Sequence, residues 1–279
     1  MIGFQVVNLL VPEEPQSLAV KTPSGVWTFD KASSYLESVS GLQRGKCAET
    51  YTIEHPVSMN HGSAACDLAL DEMTPLLLGA SYLCGLSVTA KRSLPHSEVL
   101  IIRPTTHWPR ERSMGSGNPV VATHNEFVAV LEAFVAAWPG PGESEKALLL
   151  IHHWLDSLAC WSFEDLYLSA TTLLQIIAAT EETFQQKELP YFAAVTDAAQ
   201  RVGIAALSRD FKDMRNNLIH EGKLLGGKFS GATVNDCAGV AADVFNWFDE
   251  YVHSVLGLGA VRRKRFSSAD FANLNAYSI

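Results

Sequence analysis

The chain changes texture once, and that change constrains its fold more than any single motif. In the first part, short runs rich in β-branched and aromatic residues, "FQVVNLLV", "GVWTFD" and "EVLIIRP", are separated by the Pro, Gly and Ser clusters that punctuate strands. After "RERSMGSGNP", apolar residues recur at three- and four-residue spacing, the period of helices. A chain with the two textures in separate parts reads as α+β: a small β-rich α+β domain over residues 1–115, an all-α helical bundle over 120–258 and a basic tail over 259–279. The boundary falls at about residues 110–120. "GSGNP" serves there as a linker, because no lysine followed by serine or threonine completes a phosphate loop.

Local signals fix the expected elements. In the front part, Thr74 and Pro75 predict an N-cap and first helical position for a buried helix over Leu76 to about Ala90. That run, "PLLLGASYLCGLSVTA", is too short for a membrane span and holds two glycines. In the second part, Thr123 and Glu126 of "THNEF" form a capping-box pattern that opens a helix ending at "WPGPGE". Further helices are expected over about Ser144–Cys160, Phe163–Thr183, Tyr191–Gln200 and Thr233–Leu256. One more begins with Ser208 as N-cap, carries Leu207, Phe211, Met214 and Leu218 as its apolar stripe, and ends at Gly222. Four or five of these are expected to make up the bundle.

Composition narrows the partners. The 279 residues are 47% apolar and 18% charged, enough for two modest domains, and the formal net charge of −9 repels polyanions. Any nucleic-acid role therefore needs a local basic patch. Five scattered cysteines without a CxxC pair suit neither a disulfide framework nor a zinc site, so a reducing cytoplasm is expected. "MIGFQVVNLLVPEEP" lacks the basic start of a signal peptide, and no membrane association is expected.

The most reactive group of side chains lies in "FKDMRNNLIHEG", residues 211–222, where Arg215, Asn216, Asn217 and His220 stand between an apolar run and a glycine. A step of about 100° per residue puts Arg209, Asp213, Asn216 and His220 on one stripe opposite Phe211 and Leu218. His220 is thus directed outward, and Arg215 lies about 140° round the helix from it. The plain reading is a helix end: histidine in the last turn meets the negative end of the dipole, and Asn and Arg cap carbonyls. With eleven arginines and nine histidines in the chain, an arginine followed at this spacing by a histidine arises about once by chance.

Other candidates are weaker. His152 and Asp156 of "IHHWLD" stand one turn apart, a spacing for a metal ion, but no third ligand follows and a helix-surface pair is the plainer reading. "VRRKRF" is the one dense basic cluster: Arg262, Arg263, Lys264 and Arg265 could meet RNA phosphates with Phe266 stacked on a base, or form a solvated tail. Glu181 and Glu182 read as solvated surface, and no GxSxG elbow is present.

On its amphipathic helix in the second part of a helical bundle, "MRNNLIHEG" resembles the hallmark of the HEPN (higher eukaryote and prokaryote nucleotide-binding) family: Arg, a polar residue, then His four to six residues after the Arg. Arg215, Asn216 and His220 match it position by position. Upstream, "ALLLIHHWLDSLACWSFEDLYLSATTLLQIIAATEE" resembles the paired first helices of ApeA-type HEPN proteins, which carry a separate domain in front; the likeness covers roughly residues 125–256. One departure is Gln175, where such helices often carry glutamate.

The resemblance implies a metal-independent endoribonuclease that needs no cofactor, built as a homodimer bringing two motifs together over RNA. Its catalytic residues would be Arg215, Asn216 and His220. It also implies a toxin or phage-defence effector, restrained by an antitoxin or sensor partner. The alternative is a noncatalytic nucleotide- or RNA-binding or dimerisation module.

Overall fold

The structure is a computed structural model and describes residues 1–58, 63–94, 118–160 and 162–272. It is α+β: an antiparallel sheet near the N-terminus, followed by a mostly helical remainder. The strand expected at "EVLIIRP" and the linker at "GSGNP" lie outside the described residues, apart from Asn118 and Pro119. Contacts divide the chain after Gly140 into two compact units, Met1–Gly140 and Pro141–Ile279, so the helix opened by Thr123 belongs to the first.

Five strands build the first unit: β1 (Ile2–Val7), β2 (Ser17–Thr22), β3 (Gly25–Lys31), β4 (Glu49–His55) and β5 (Thr89–Leu94). They pair in the order β2-β3-β4-β1-β5, each neighbour antiparallel. Alternation sends Leu18 and Val20 of β2, Trp27 and Phe29 of β3, and Tyr51 and Ile53 of β4 into the core. Helix α1 (Tyr35–Gln43) lies between β3 and β4, α2 (Ala64–Asp71) and α3 (Met73–Cys84) lie between β4 and β5, and α4 (His124–Ala137) completes the unit.

The expected buried helix is α3, with corrected ends. Glu72, not Thr74, precedes its first residue, and Gly85 at φ 75° ends it in the left-handed conformation. The chain beyond Gly85 does not continue helical to Ala90: Thr89 and Ala90 open β5 and pair with Val7 and Val6 of β1. α4 packs on α3 through Leu131 and Phe134, whose side chains crowd Gly79. Glu132 of α4 accepts the Lys21 amide of β2 at 2.8 Å. Thr123 caps α4 by accepting the Glu126 amide at 3.2 Å, while Glu126 takes the Ala122 amide in place of the expected Thr123 amide.

The second unit holds α5 (Ala147–Ser157), α6 (Phe163–Gln185), α7 (Tyr191–Val202), α8 (Asp210–Glu221), α9 (Val234–Val255) and the short α10 (Ser268–Ala272). α9 touches α6, α7, α8 and α10, and its inward face of Phe245, Phe248, Tyr251 and Val252 forms much of the core. Its start is fixed by a capping box between Thr233 and Asp236. Among the described residues, no helix is long and apolar enough to cross a membrane.

Candidate functional site

The sequence of α8 sets its orientation. Phe211 and Met214 are fully buried and Leu218 nearly so, which turns the opposite face outward. Arg209 rather than Ser208 occupies the N-cap, without a side-chain cap; Ser208 sits beside Asp210, 3.5 Å from its carboxylate. Gly222, at φ 66°, terminates the helix and returns its amide to the Leu218 carbonyl.

The candidate residues emerge on this helix with different surroundings. His220 is exposed, in the last turn; Asn216 is half-buried, one turn before it. Arg215, also half-buried, lies over the ring of Tyr191 from α7, with its guanidinium carbon 5.2 Å from the centroid. Tyr191 donates to the Thr171 carbonyl at 3.0 Å, tying α7 to α6, and Tyr167 to the Phe211 carbonyl at 2.5 Å, tying α8 to α6. Burial raises the hydroxyl pKa of both tyrosines, and the Arg215 charge opposes that rise in each. Among the described residues, no hydrogen bond or ion pair joins Arg215 to Asn216 or His220, so one chain presents them as neighbours round a helix and not as a pair.

Two further side chains of the motif are buried. Asp213 is buried and forms an ion pair with Arg209, one turn earlier, at 3.4 Å. Asn217 is buried as well and donates to the carbonyl of Gly226, holding the glycine-rich segment after α8 against the helix.

The basic run separates into two parts. Arg262, Arg263 and Lys264 are exposed, as a phosphate-contacting or solvated segment requires. Arg265 is not available to RNA: its buried guanidinium binds both carboxylate oxygens of buried Asp249, at 3.1 and 3.2 Å, and lies 4.7 Å from the Trp154 ring centroid. Phe266 is not a stacking platform either. Its ring packs against Phe245 and Phe271, and Asn246 clasps its backbone through both amide and carbonyl.

Glu181, read as solvated surface, is 2% exposed and binds Arg201 at 2.6 Å. Arg201 also forks onto Glu145, at 2.7 and 3.1 Å, and Tyr251 donates to Glu145 at 2.6 Å. Burial works against the Arg201 charge, but the bonds to Glu145 and Glu181 outweigh it and raise its pKa above the usual arginine value. This network ties α6, α7 and α9 together at the far end of α7 from Tyr191. Every partner in it is occupied, so it reads as structural.

The front unit contains a polar group with no sequence signature. Buried Glu72 accepts from the hydroxyls of Thr22 and Ser24, from the Ser24 amide at 2.8 Å and from the Trp27 indole at 3.4 Å. His55 stands 3.4 Å from the Ser24 hydroxyl, which places Ser, His and Glu together. The proton positions argue against a nucleophile. Nδ1 of His55 accepts the Val57 amide, so a neutral ring carries its proton on Nε2, facing Ser24, and the Ser24 hydroxyl is already given to Glu72. The group clamps the β2–β3 hairpin to the α2–α3 junction.

Among the described residues, no group of three His, Cys, Asp or Glu side chains could hold a metal ion, and His152 with Asp156 gains no third ligand. Two concavities of the second unit lie away from His220. One of about 720 Å³ is lined by Gly203, His253, Ser254 and Gly257 at the ends of α7 and α9; the other, about 520 Å³, is lined by Asp210, Asp236 and Asp243. The acidic lining of the second is unfavourable to phosphate. Comparisons of the chain with protein-family models, with curated proteins and with solved structures return no match.

Proposed function

We propose that the protein is a metal-independent endoribonuclease of HEPN type, acting as a cytoplasmic homodimer. The observation that supports this reading best is the last two turns of α8, where His220 is exposed and Asn216 and Arg215 are half-exposed. In the proposed chemistry, a ribose 2′-hydroxyl attacks the adjacent phosphorus, displacing the 5′-oxygen. His220 moves protons, and Arg215 stabilises charge on the phosphoryl oxygens. Asn216 orients the imidazole or the phosphate. A dimer would bring Arg215 of one subunit toward His220 of the other, which answers their separation round a single helix. The products would be a 2′,3′-cyclic phosphate and a 5′-hydroxyl, and DNA, without the 2′-hydroxyl, would survive.

As an effector of the toxin or phage-defence kind, the protein would need restraint, by an antitoxin or by its own front unit acting as a sensor. The contact of Arg215 with Tyr191 favours a second reading, in which the site binds a nucleotide or RNA without cutting it.

The two readings separate when purified protein meets RNA and DNA of one sequence in the presence of a chelator. RNA alone should be cut, and His220→Ala should slow cutting by about 100- to 10,000-fold. Because His220 is exposed, that change should move stability by no more than about 0.5 kcal/mol. Equal cutting by the variant removes His220 from the chemistry; cutting of neither nucleic acid leaves the binding reading.

A further inference from the structure

The segment after His220, "GKLLGGKFSG" (residues 222–231), runs back along α8 instead of leaving it. Three ties show the path. Asn217 donates to the Gly226 carbonyl, which also accepts the Phe229 amide at 3.1 Å. Phe229 is buried at 6% exposure, and Ser230 donates to Asp210, in the first turn of α8, at 3.0 Å. From Asn217 to Asp210 the helix spans about 10 Å, and four residues from Gly226 to Ser230 can cover about 13 Å. The loop therefore travels antiparallel to the helix and covers Asn217, which is buried.

The glycines make this path possible. Gly226 and Gly227 have φ of 102° and 56°, and a Cβ on Gly227 would collide with the Asn217 carboxamide. Asn217 and His220 are three residues apart, so their Cβ atoms lie about 5–6 Å from one another. Lys223 and Lys228 are exposed on this loop. From Arg209 to Lys228 the chain carries five Lys and Arg against three Asp and Glu, a cationic stretch in a protein of net charge −9. On the helix surface, the stripe of exposed Arg209 and His220 with half-buried Asn216 thus has the loop on one side and Arg215 with Tyr191 on the other.

We propose that the 222–231 loop is a phosphate-holding wall of the site, in which Lys223 and Lys228 grip the backbone of a single-stranded RNA laid along α8 past His220. Asn217 is the positioning residue that fixes this wall. The proposal rests on the RNA reading given above, and it adds that reading's missing local positive field. Lysines meet phosphates as point charges without reading bases, so the grip is independent of sequence.

The test uses the full chain with His220→Ala, which leaves bound RNA uncut, and a fluorescently labelled single-stranded RNA followed by anisotropy at several salt concentrations. Adding Lys223→Ala and Lys228→Ala should weaken binding about tenfold at low salt and reduce the slope of log K against log salt by about 1.4, the effect of two lost phosphate contacts. Asn217→Ala should weaken binding in the parent and have little further effect once both lysines are gone, an interaction that a merely structural role would not produce. RNA binding unmoved by the lysine changes, or no RNA binding at all, overturns the proposal. Cleavage by the unaltered protein is read separately: RNA that is bound through the loop but never cut removes the nuclease reading and leaves the wall in place.

Discussion

Arg263 and Arg265 belong to one basic run and meet opposite environments. Arg263 stands in solvent, whereas the side chains of Arg265 and Asp249 are 0% and 1% exposed and bonded twice to each other. Removing one member of such a pair leaves a charge buried without its counterion. Arg265→Ala should therefore cost about 3–5 kcal/mol, read as a lower urea midpoint, while Arg263→Ala should stay within about 0.5 kcal/mol. Equal effects of the two changes would mean that the tail does not dock as described. The run's charge is plain in "VRRKRF", but nothing local distinguishes its members, because the partner of Arg265 lies sixteen residues upstream on α9. Glu181 hides for the same reason: its partner, Arg201, is twenty residues away on another helix. His220 was legible because its exposure follows from helical periodicity alone, which needs no knowledge of distant contacts.

Elements with strong periodicity and capping signals were readable to within a few residues. α6, α7 and α9 lie where their apolar spacing puts them, and Thr233 and Gly222 mark true helix ends. β2, β4 and β5 were not foreseen. "SLAVKT" and "ETYTIEH" alternate but are short, and β5 follows so closely on α3 that its first residues passed as helix; tertiary pairing with β1 decides the matter. The allegiance of α4 was likewise hidden, since its amphipathic pattern does not say which surface it covers. Gly79 offers a test, because a Cβ there would approach Leu131 and Phe134 of α4 to 2.7 and 2.9 Å. Gly79→Val should destabilise the protein by about 1–3 kcal/mol in thermal unfolding. Combining it with Leu131→Ala should cost less than the sum of the two, as expected for neighbours sharing one space. Full additivity would separate α4 from α3.

At the scale of the molecule, each compact unit buries one histidine among the described residues in a way that opposes its charge: His55 beside the Glu72 clamp in the first and His253 at the end of α9 in the second. Burial lowers the pKa of both, although Glu72 pulls His55 back up, and the Gly259 carbonyl and Asp249 do so for His253. A lowered folded pKa means that the unfolded chain binds more protons, so stability rises with pH through this window. It is complete above the ordinary histidine value of 6.5 and falls as the pH drops below it, until the folded histidines also take protons. Each group can contribute a slope of up to about 1.4 kcal/mol per pH unit. Carboxylates held low, such as Glu13 beside His124 and Asp236 in its capping box, have ordinary values of 4.5 and 3.8 and act in a separate, more acidic window. Urea unfolding between pH 7.5 and 5 should therefore show declining stability, and His55→Gln and His253→Gln should each flatten that decline whatever they do to stability at pH 7.5. A slope that survives both substitutions would assign the acid sensitivity to other groups and mean that neither histidine is held neutral in its unit.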